Sequence, residues 1–231
     1  MSTFITEAIV LHKKTVYEDD RLYILYTPEY GKIEAHVLAA ASTKSKLAGS
    51  VEPIVKSQLM IIAGKNREII GGAQILQTYF FANPAVDQQL AVIRELFVRL
   101  VKPGVREPLL YEKLNSYLNF LKNDLSQKNA VLLNQRFIWQ MLKILGLAPF
   151  FTRGGKATGE ALNFNTDFQN LKQNFSQESE NLLNACLDEK TDGLNGFSES
   201  SWQQLQLFTR RYLEYFMESD LKSLASFNYY A

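Results

Sequence analysis

The apolar residues of this chain change their spacing once, near Asn83-Pro84, and that change constrains the fold more than any single motif. Before it they recur at every second position; after it they recur at every third and fourth. A period of two puts alternate side chains on opposite faces of a strand, whereas the longer spacing lines one face of a helix. The pattern predicts strands near Phe4–His12, Asp20–Thr27, Lys32–Leu38, Val51–Ile62 and Glu68–Thr78. In the second of these, Leu22, Ile24 and Tyr26 share one face, and Arg21, Tyr23 and Leu25 share the other, as in a half-buried strand. Thr27-Pro28-Glu29-Tyr30-Gly31 then turns the chain: Pro presets one backbone angle and Gly accepts a positive one. Gly64-Lys65-Asn66 reads as a second hairpin turn, and Gly49, Gly71 and Gly72 permit the sharp bends of a small closed barrel. Five strands in the first eighty residues fit an OB-fold, a five-stranded Greek-key barrel. Pattern alone fits an SH3-like barrel as well.

Beyond residue 80 the reading is all-helical, giving an α+β chain with a barrel domain over 1–80 and a helical domain over 81–231. Leu90, Ile93, Phe97, Leu100 and Val101 make one stripe, with Arg94, Arg99 and Lys102 on the opposite half, and Pro103-Gly104 closes it. Leu110, Leu114, Tyr117, Leu118 and Leu121 make a second stripe, opened by Pro108 at a favourable first-turn position. Val131 to Leu145 is apolar on most sides and predicts a buried central helix. Ser176 and Ser198 are expected N-caps for helices Glu178–Leu187 and Glu199–Met217, the latter carrying Trp202, Leu205, Thr209, Tyr212 and Phe216 on one face. Between Pro149 and Leu171 helical periodicity is lost and an irregular insert is expected.

Charge is nearly balanced, 25 basic residues against 24 acidic, but unevenly spread. Arg94 to Lys156 carries eleven basic residues against four acidic; Glu160 to Glu199 carries two against eight. Such asymmetry predicts one face that attracts phosphates and another that does not. An enzyme is not expected. The two histidines, His12 and His36, fall on predicted strands, and no nucleophile elbow, zinc-protease helix or phosphate-binding Gly-rich loop is present. Glu18-Asp19-Asp20 reads as a solvated loop rather than a cation site, because adjacent acids cannot all turn to one ion. Cys186 is the one cysteine; it sits on a helical apolar face and is expected to be a packed thiol, in a cytosolic protein without disulfides. Phe4–Leu11 is too short and contains Glu7, so no signal peptide is expected, and no apolar run approaches the roughly 18 residues that span a bilayer.

The order of parts from Tyr17 to Pro53 resembles the N-terminal domain of the RecO family of recombination mediator proteins. The likeness runs through Asp20-Arg21-Leu22, Thr27-Pro28-Glu29, Gly31-Lys32, Lys44-Ser45-Lys46 and Glu52-Pro53. It continues in Leu145-Gly146-Leu147-Ala148-Pro149 and Leu221-Lys222-Ser223. The resemblance tips the barrel to an OB-fold. It implies a protein that works without turnover: it binds single- and double-stranded DNA, anneals complementary strands and helps load the RecA recombinase onto coated DNA. It also implies two protein partners, RecR and the acidic C-terminal tail of single-stranded DNA-binding protein, in the bacterial cytoplasm at the nucleoid. Many members carry two Cys-x-x-Cys pairs binding zinc in the insert. Here no cysteine or histidine lies between Pro149 and Leu171, so a four-ligand zinc site cannot be built there, and no metal or cofactor is expected. Phe150, Phe151, Leu162, Phe164 and Phe168 are the candidates for ordering the insert instead.

In OB-folds a nucleic-acid ligand lies across strands 2 and 3, flanked by the loops after strands 1 and 4. That placement selects Lys13 and Lys14 after strand 1, Arg21 and Tyr23 on strand 2, Lys32 on strand 3, Lys44 and Lys46 in the following loop, and Lys65 and Arg67 in the last hairpin. Cations tracking phosphates and rings stacking on bases are what a single strand requires, and Tyr17, Tyr23 and Tyr30 are the candidate rings. Arg94, Arg99 and Lys102, with Arg136 and Lys143, would extend the track along helices. Arg210 and Arg211, beside Phe208 and Tyr212, are the expected receptor for an acidic peptide terminus. The rival reading is an interaction scaffold on an OB barrel whose cations serve only solubility.

Overall fold

The computed structural model describes residues 2–16, 20–38, 47–81, 84–122, 127–148, 175–188 and 196–217. Among the described residues five strands, β1 (Ser2–Thr15), β2 (Arg21–Thr27), β3 (Gly31–Val37), β4 (Val55–Ala63) and β5 (Glu68–Thr78), precede five α-helices. The helices are α1 (Pro84–Leu100), α2 (Pro108–Leu121), α3 (Gln127–Ile144), α4 (Gln177–Leu187) and α5 (Glu199–Met217). The insert expected at 149–171 lies outside the described residues.

The strands close into a barrel in the order β1-β2-β3-β5-β4, with β4 returning to β1. All neighbours are antiparallel except β3 and β5, which run parallel and meet at only two residue pairs, Ala35 with Glu68 and His36 with Ile69. This is the OB-fold topology. Long strands must bend to wrap so few neighbours, and the bends fall at irregularities in register. One lies between Val10 and His12 on β1, and two lie in the β4–β5 ladder. Met60 pairs with Gly72 and Ile61 with Ile70, so Gly71 is the extra residue of one bulge. A Cβ there would come within 2.8 Å of Ile62 Cδ1 and 2.9 Å of Met60 Cε, so a larger residue would have to displace those two side-chain ends.

Inside the barrel Ala8, Val10, Tyr23, Leu25, Ile33, Ala35, Val37, Val51, Leu59, Ile61 and Ile70 form one core. The outward residues of β2 are buried too. Ile24 is 8% exposed and Tyr26 fully buried, so the half-buried strand expected from the alternation is covered on both faces. The Tyr26 ring meets the ring of Phe97 on α1 edge-on, 4.9 Å between centroids, and its hydroxyl donates to the carbonyl of Glu107, just before α2. The chain therefore compacts as two units, 1–125 and 126–231. The change from strand to helix falls at residues 79–84, but α1 and α2 belong to the barrel's unit because they seal its outer face.

The second unit packs α3, α4 and α5 around Trp139. Its ring stacks on Phe208 at 5.8 Å and tilts against Tyr212 at 5.3 Å, while its indole N–H donates to Thr209 Oγ1 at 3.0 Å. Thr209 passes its own hydroxyl proton to Gln135 or to the Leu205 carbonyl. Ser176 caps α4, accepting from the Ser179 N–H, and the Ser201 N–H donates to the Ser198 hydroxyl one turn into α5. Cys186 is fully buried, and burial pushes its thiol up to about 12, as a packed rather than nucleophilic sulfur requires.

Candidate nucleic-acid interface

Three of the basic and aromatic residues singled out above have structural duties, and burial removes Tyr23 and Lys32 from any ligand surface. Tyr23 is 1% exposed, inside the barrel, and cannot stack on a base. Lys32 is 5% exposed, and its ammonium donates to the Val98 carbonyl at 2.6 Å and to the Phe97 carbonyl at 3.4 Å, at the C-terminal turn of α1. The last carbonyls of a helix lack internal partners and carry partial negative charge, so a cation there fixes the helix end to β3. Arg94 reaches across to donate from Nε to the Leu11 carbonyl at 2.5 Å, clipping α1 onto the bulged part of β1. Burial lowers the pKa of both cations.

These contacts overturn one expectation about the site. The outer face of β2 and β3, where OB-folds receive oligonucleotides, is occupied at its Tyr26–Lys32 end by α1 and the start of α2. What stays open on β3 is Glu34, which is exposed and of the wrong sign for phosphate.

The remaining candidates fall into separate groups. Lys13, Lys14 and Arg21 gather where β1 ends and β2 begins. Lys13 is held by both carboxylate oxygens of Glu52, at 2.7 and 2.8 Å, Arg21 donates to the Asp20 carbonyl, and Lys14 is exposed. Arg99 pairs with Glu95 one turn earlier, and Arg210 with Glu214 one turn later, each in helical i,i+4 geometry. Arg211 is exposed, and Lys143 donates to the Leu187 carbonyl. Lys44, Lys46 and Tyr17 lie outside the described residues.

The third group surrounds a cleft of about 590 Å³ at the mouth of the barrel. Its walls are Phe4 at the start of β1, Glu29 and Tyr30 of the β2–β3 turn, the Lys32–Glu34 edge of β3, Ala63, Gly64 and Asn66 to Glu68 of the β4–β5 hairpin, and Pro103-Gly104. The two rings pack together at 4.3 Å between centroids, tilted by 39°, and Tyr30 remains 40% exposed. Arg67 lines the cleft, and Lys65 stands in the same hairpin, both exposed. The connector between α1 and α2 adds Lys102, exposed beside Pro103, and Arg106, whose Nε donates to the Pro28 carbonyl at 3.3 Å. This connector is fixed to the barrel: the Gly104 N–H donates to the Lys32 carbonyl at 3.0 Å, and Gly31 adopts φ +66° beneath Val105. Tyr30 follows the end of β2 whereas Arg21 begins it, so this group and the Lys13–Lys14 group stand a strand length apart, roughly 20 Å.

Phe4 and Arg106 were not predicted as site residues. Phe4 reads as an ordinary apolar strand residue, and Arg106 is brought to the cleft only by the connector's path. Two buried side-chain atoms near the seam also lack a hydrogen-bond partner, Glu68 Oε2 and His36 Nδ1.

The recombination protein O N-terminal family model matches residues 1–79, and the recombination protein O C-terminal model matches residues 90–225. The chain belongs to the RecO family. A DNA repair protein RecO of Pelotomaculum thermopropionicum is 23% identical, over 97% of this chain and 93% of that relative. RecO proteins of Synechocystis and Gloeothece citriformis are 30% and 29% identical over 64% of this chain, and the match spans 56% and 53% of their own lengths. The first RecO model ends at residue 79, just after β5, and the second begins at residue 90, within α1. No helix among the described residues is long and apolar enough to cross a membrane.

Proposed function

We propose that this protein is a recombination mediator without catalytic turnover, which holds single-stranded DNA along the rim of the barrel-mouth cleft. The observation that carries the reading is the convergence there of exposed Lys65, Arg67 and Lys102, with Arg106, around the Phe4–Tyr30 pair. Single strands are bound by cations that follow the backbone and rings that receive bases, and this rim supplies both within one small site. Double-stranded DNA would meet the same cations through its phosphates. Annealing then needs no reacting side chain: neutralised phosphates let two strands approach, and base pairing drives the rest. Loading of RecA onto coated DNA would draw on contacts with RecR and with the acidic tail of single-stranded DNA-binding protein, for which exposed Arg211 is the residue to test first, in the bacterial cytoplasm at the nucleoid.

The covered β2–β3 face favours one other reading, a scaffold that binds proteins only. Titration of a labelled oligonucleotide at low and moderate salt, with EDTA present, separates the two. Tight binding that weakens with salt supports the mediator; absence of binding at low salt supports the scaffold. Replacing Lys65 and Arg67 with Ala removes two phosphate contacts and is expected to flatten the salt slope by about 1.4 on a log–log plot, since each single-strand phosphate contributes about 0.7. An unchanged slope would take the hairpin out of the site.

A further inference from the structure

The charges around the cleft are mixed in sign. Its lining carries three acids, Glu29, Glu34 and Glu68, against Arg67 and Lys32, whose ammonium is already held by α1 carbonyls, while Lys65 and Lys102 adjoin lining residues on the rim. Phosphate is repelled from such walls and held at such a rim, so a strand bound here keeps its backbone outside. The interior suits a different part of a nucleotide. Glu29 already accepts from the Thr6 hydroxyl at 2.5 Å. One oxygen of Glu68 lacks such a partner: Oε2 is buried and accepts no hydrogen bond. The residue opens β5, paired with Ala63 of β4 and Ala35 of β3, two positions before the core residue Ile70. Its side chain lines the cleft together with Phe4 and Tyr30. Burial raises its pKa, because desolvation disfavours the charged carboxylate.

We propose that the cleft holds one unstacked base of the bound strand, its face against Phe4 and Tyr30 and an amino-bearing edge donating to Glu68. This rests on the single-strand reading above and gives that site a base preference. Guanine, cytosine and adenine each carry an exocyclic amino group. Thymine carries none; its single ring N–H is flanked by two carbonyls that face a carboxylate unfavourably. Acidic side chains accept from such amino groups in known base readout, and buried polar groups left unpaired penalise the wrong base. A volume near 590 Å³ lies within the range of small-ligand sites and admits a base with its sugar.

The test uses the full chain and a set of short oligothymidines differing only in one central base. Amino-bearing bases are expected to bind about five-fold or more tightly than all-thymine. Glu68→Gln, which keeps the shape and adds a donor, is expected to collapse that ratio towards one while leaving the salt slope and thermal midpoint in place. Lys65→Ala with Arg67→Ala is expected to lower all affinities together and keep the ratio. Equal affinity of the wild type for every central base overturns the base-holding cleft and leaves phosphate binding intact. A preference that survives Glu68→Gln overturns the role of Glu68. Absence of binding to any oligonucleotide removes both this proposal and the reading beneath it.

Discussion

Phe97 is the residue on which the joining of barrel and first helix depends most, and its truncation to Ala tests that join. The ring is fully buried and meets Tyr26 edge-on at 4.9 Å, over the outer face of β2. Removing a buried Phe side chain costs about 3–5 kcal/mol through lost transfer energy and the cavity left behind. The aromatic pair accounts for about 0.5–1.5 kcal/mol beyond area. Tyr26 is pinned through its hydroxyl to the Glu107 carbonyl at 3.3 Å, so it cannot swing far to refill the space. A loss of about 4 kcal/mol is expected, a large share of the roughly 5–15 kcal/mol that holds a domain folded. Urea unfolding followed by circular dichroism should show the midpoint falling with little change in slope, because the same surface is exposed. Strand and helix signals should fall together, since 1–125 is one compact unit. A loss under about 1 kcal/mol, within the range of a surface substitution, would refute the packing of α1 on β2.

Gly31→Ala is expected to destabilise the first unit by several kcal/mol, read as a lowered thermal midpoint. Gly31 has φ +66°, and an added Cβ would lie 2.0 Å from the Val105 carbonyl oxygen, so both the turn and the connector must shift. Glu178, in the first turn of α4, accepts from the Ser198 N–H and from the hydroxyls of Ser198 and Ser201. Those bonds hold its carboxyl below the ordinary 4.5. Stability from a depressed carboxyl is complete above the unfolded value and fades as pH falls through the folded one. The gap between wild type and Glu178→Gln in denaturant midpoint should therefore be present at neutral pH and close in acid below 4.5. A gap that persists unchanged there would mean the charge is not what the two serines recognise.

The strand and helix pattern was legible because period two and period three-to-four are local properties. Glu68–Thr78 and Glu199–Met217 appear with the predicted bounds. β1 runs on to Thr15 rather than His12 because the bulge at Leu11 lets Lys13 and Lys14 continue the pairing with β2. The identity of the barrel needed the family resemblance, since alternation does not encode strand order. The burial of β2 on both faces was partly written in Ile24 and Tyr26, but alternation with Tyr23 and Leu25 concealed it: both sides are apolar, each against a different neighbour. The duties of Lys32 and Arg94 are hidden in the sequence for another reason. A cation on a strand or helix looks solvent-facing unless its partner is known. Here the partners are backbone carbonyls of Phe97, Val98 and Leu11, which no side-chain pattern records. The cleft was half visible, in the hairpin cations and Tyr30; its acidic lining emerged only when the pairing of β3 with β5 brought Glu34 and Glu68 to one cleft.

The sealing of β2 by α1 also sets a timetable for synthesis. When β5 has left the ribosome every strand of the barrel exists, yet Ile24 and Tyr26 have nothing over them and Lys32 has no helix end to hold. The nascent chain must wait for Phe97, and then for Tyr111, before its outer face is dry. Elongation proceeds at about 5–20 residues per second, so the interval lasts on the order of seconds. During it the apolar face of β2 is open to chaperones and to other nascent chains. Pauses made while Phe97 is still inside the ribosome would lengthen that exposure; pauses made once residue 125 has emerged would give the first unit time to close.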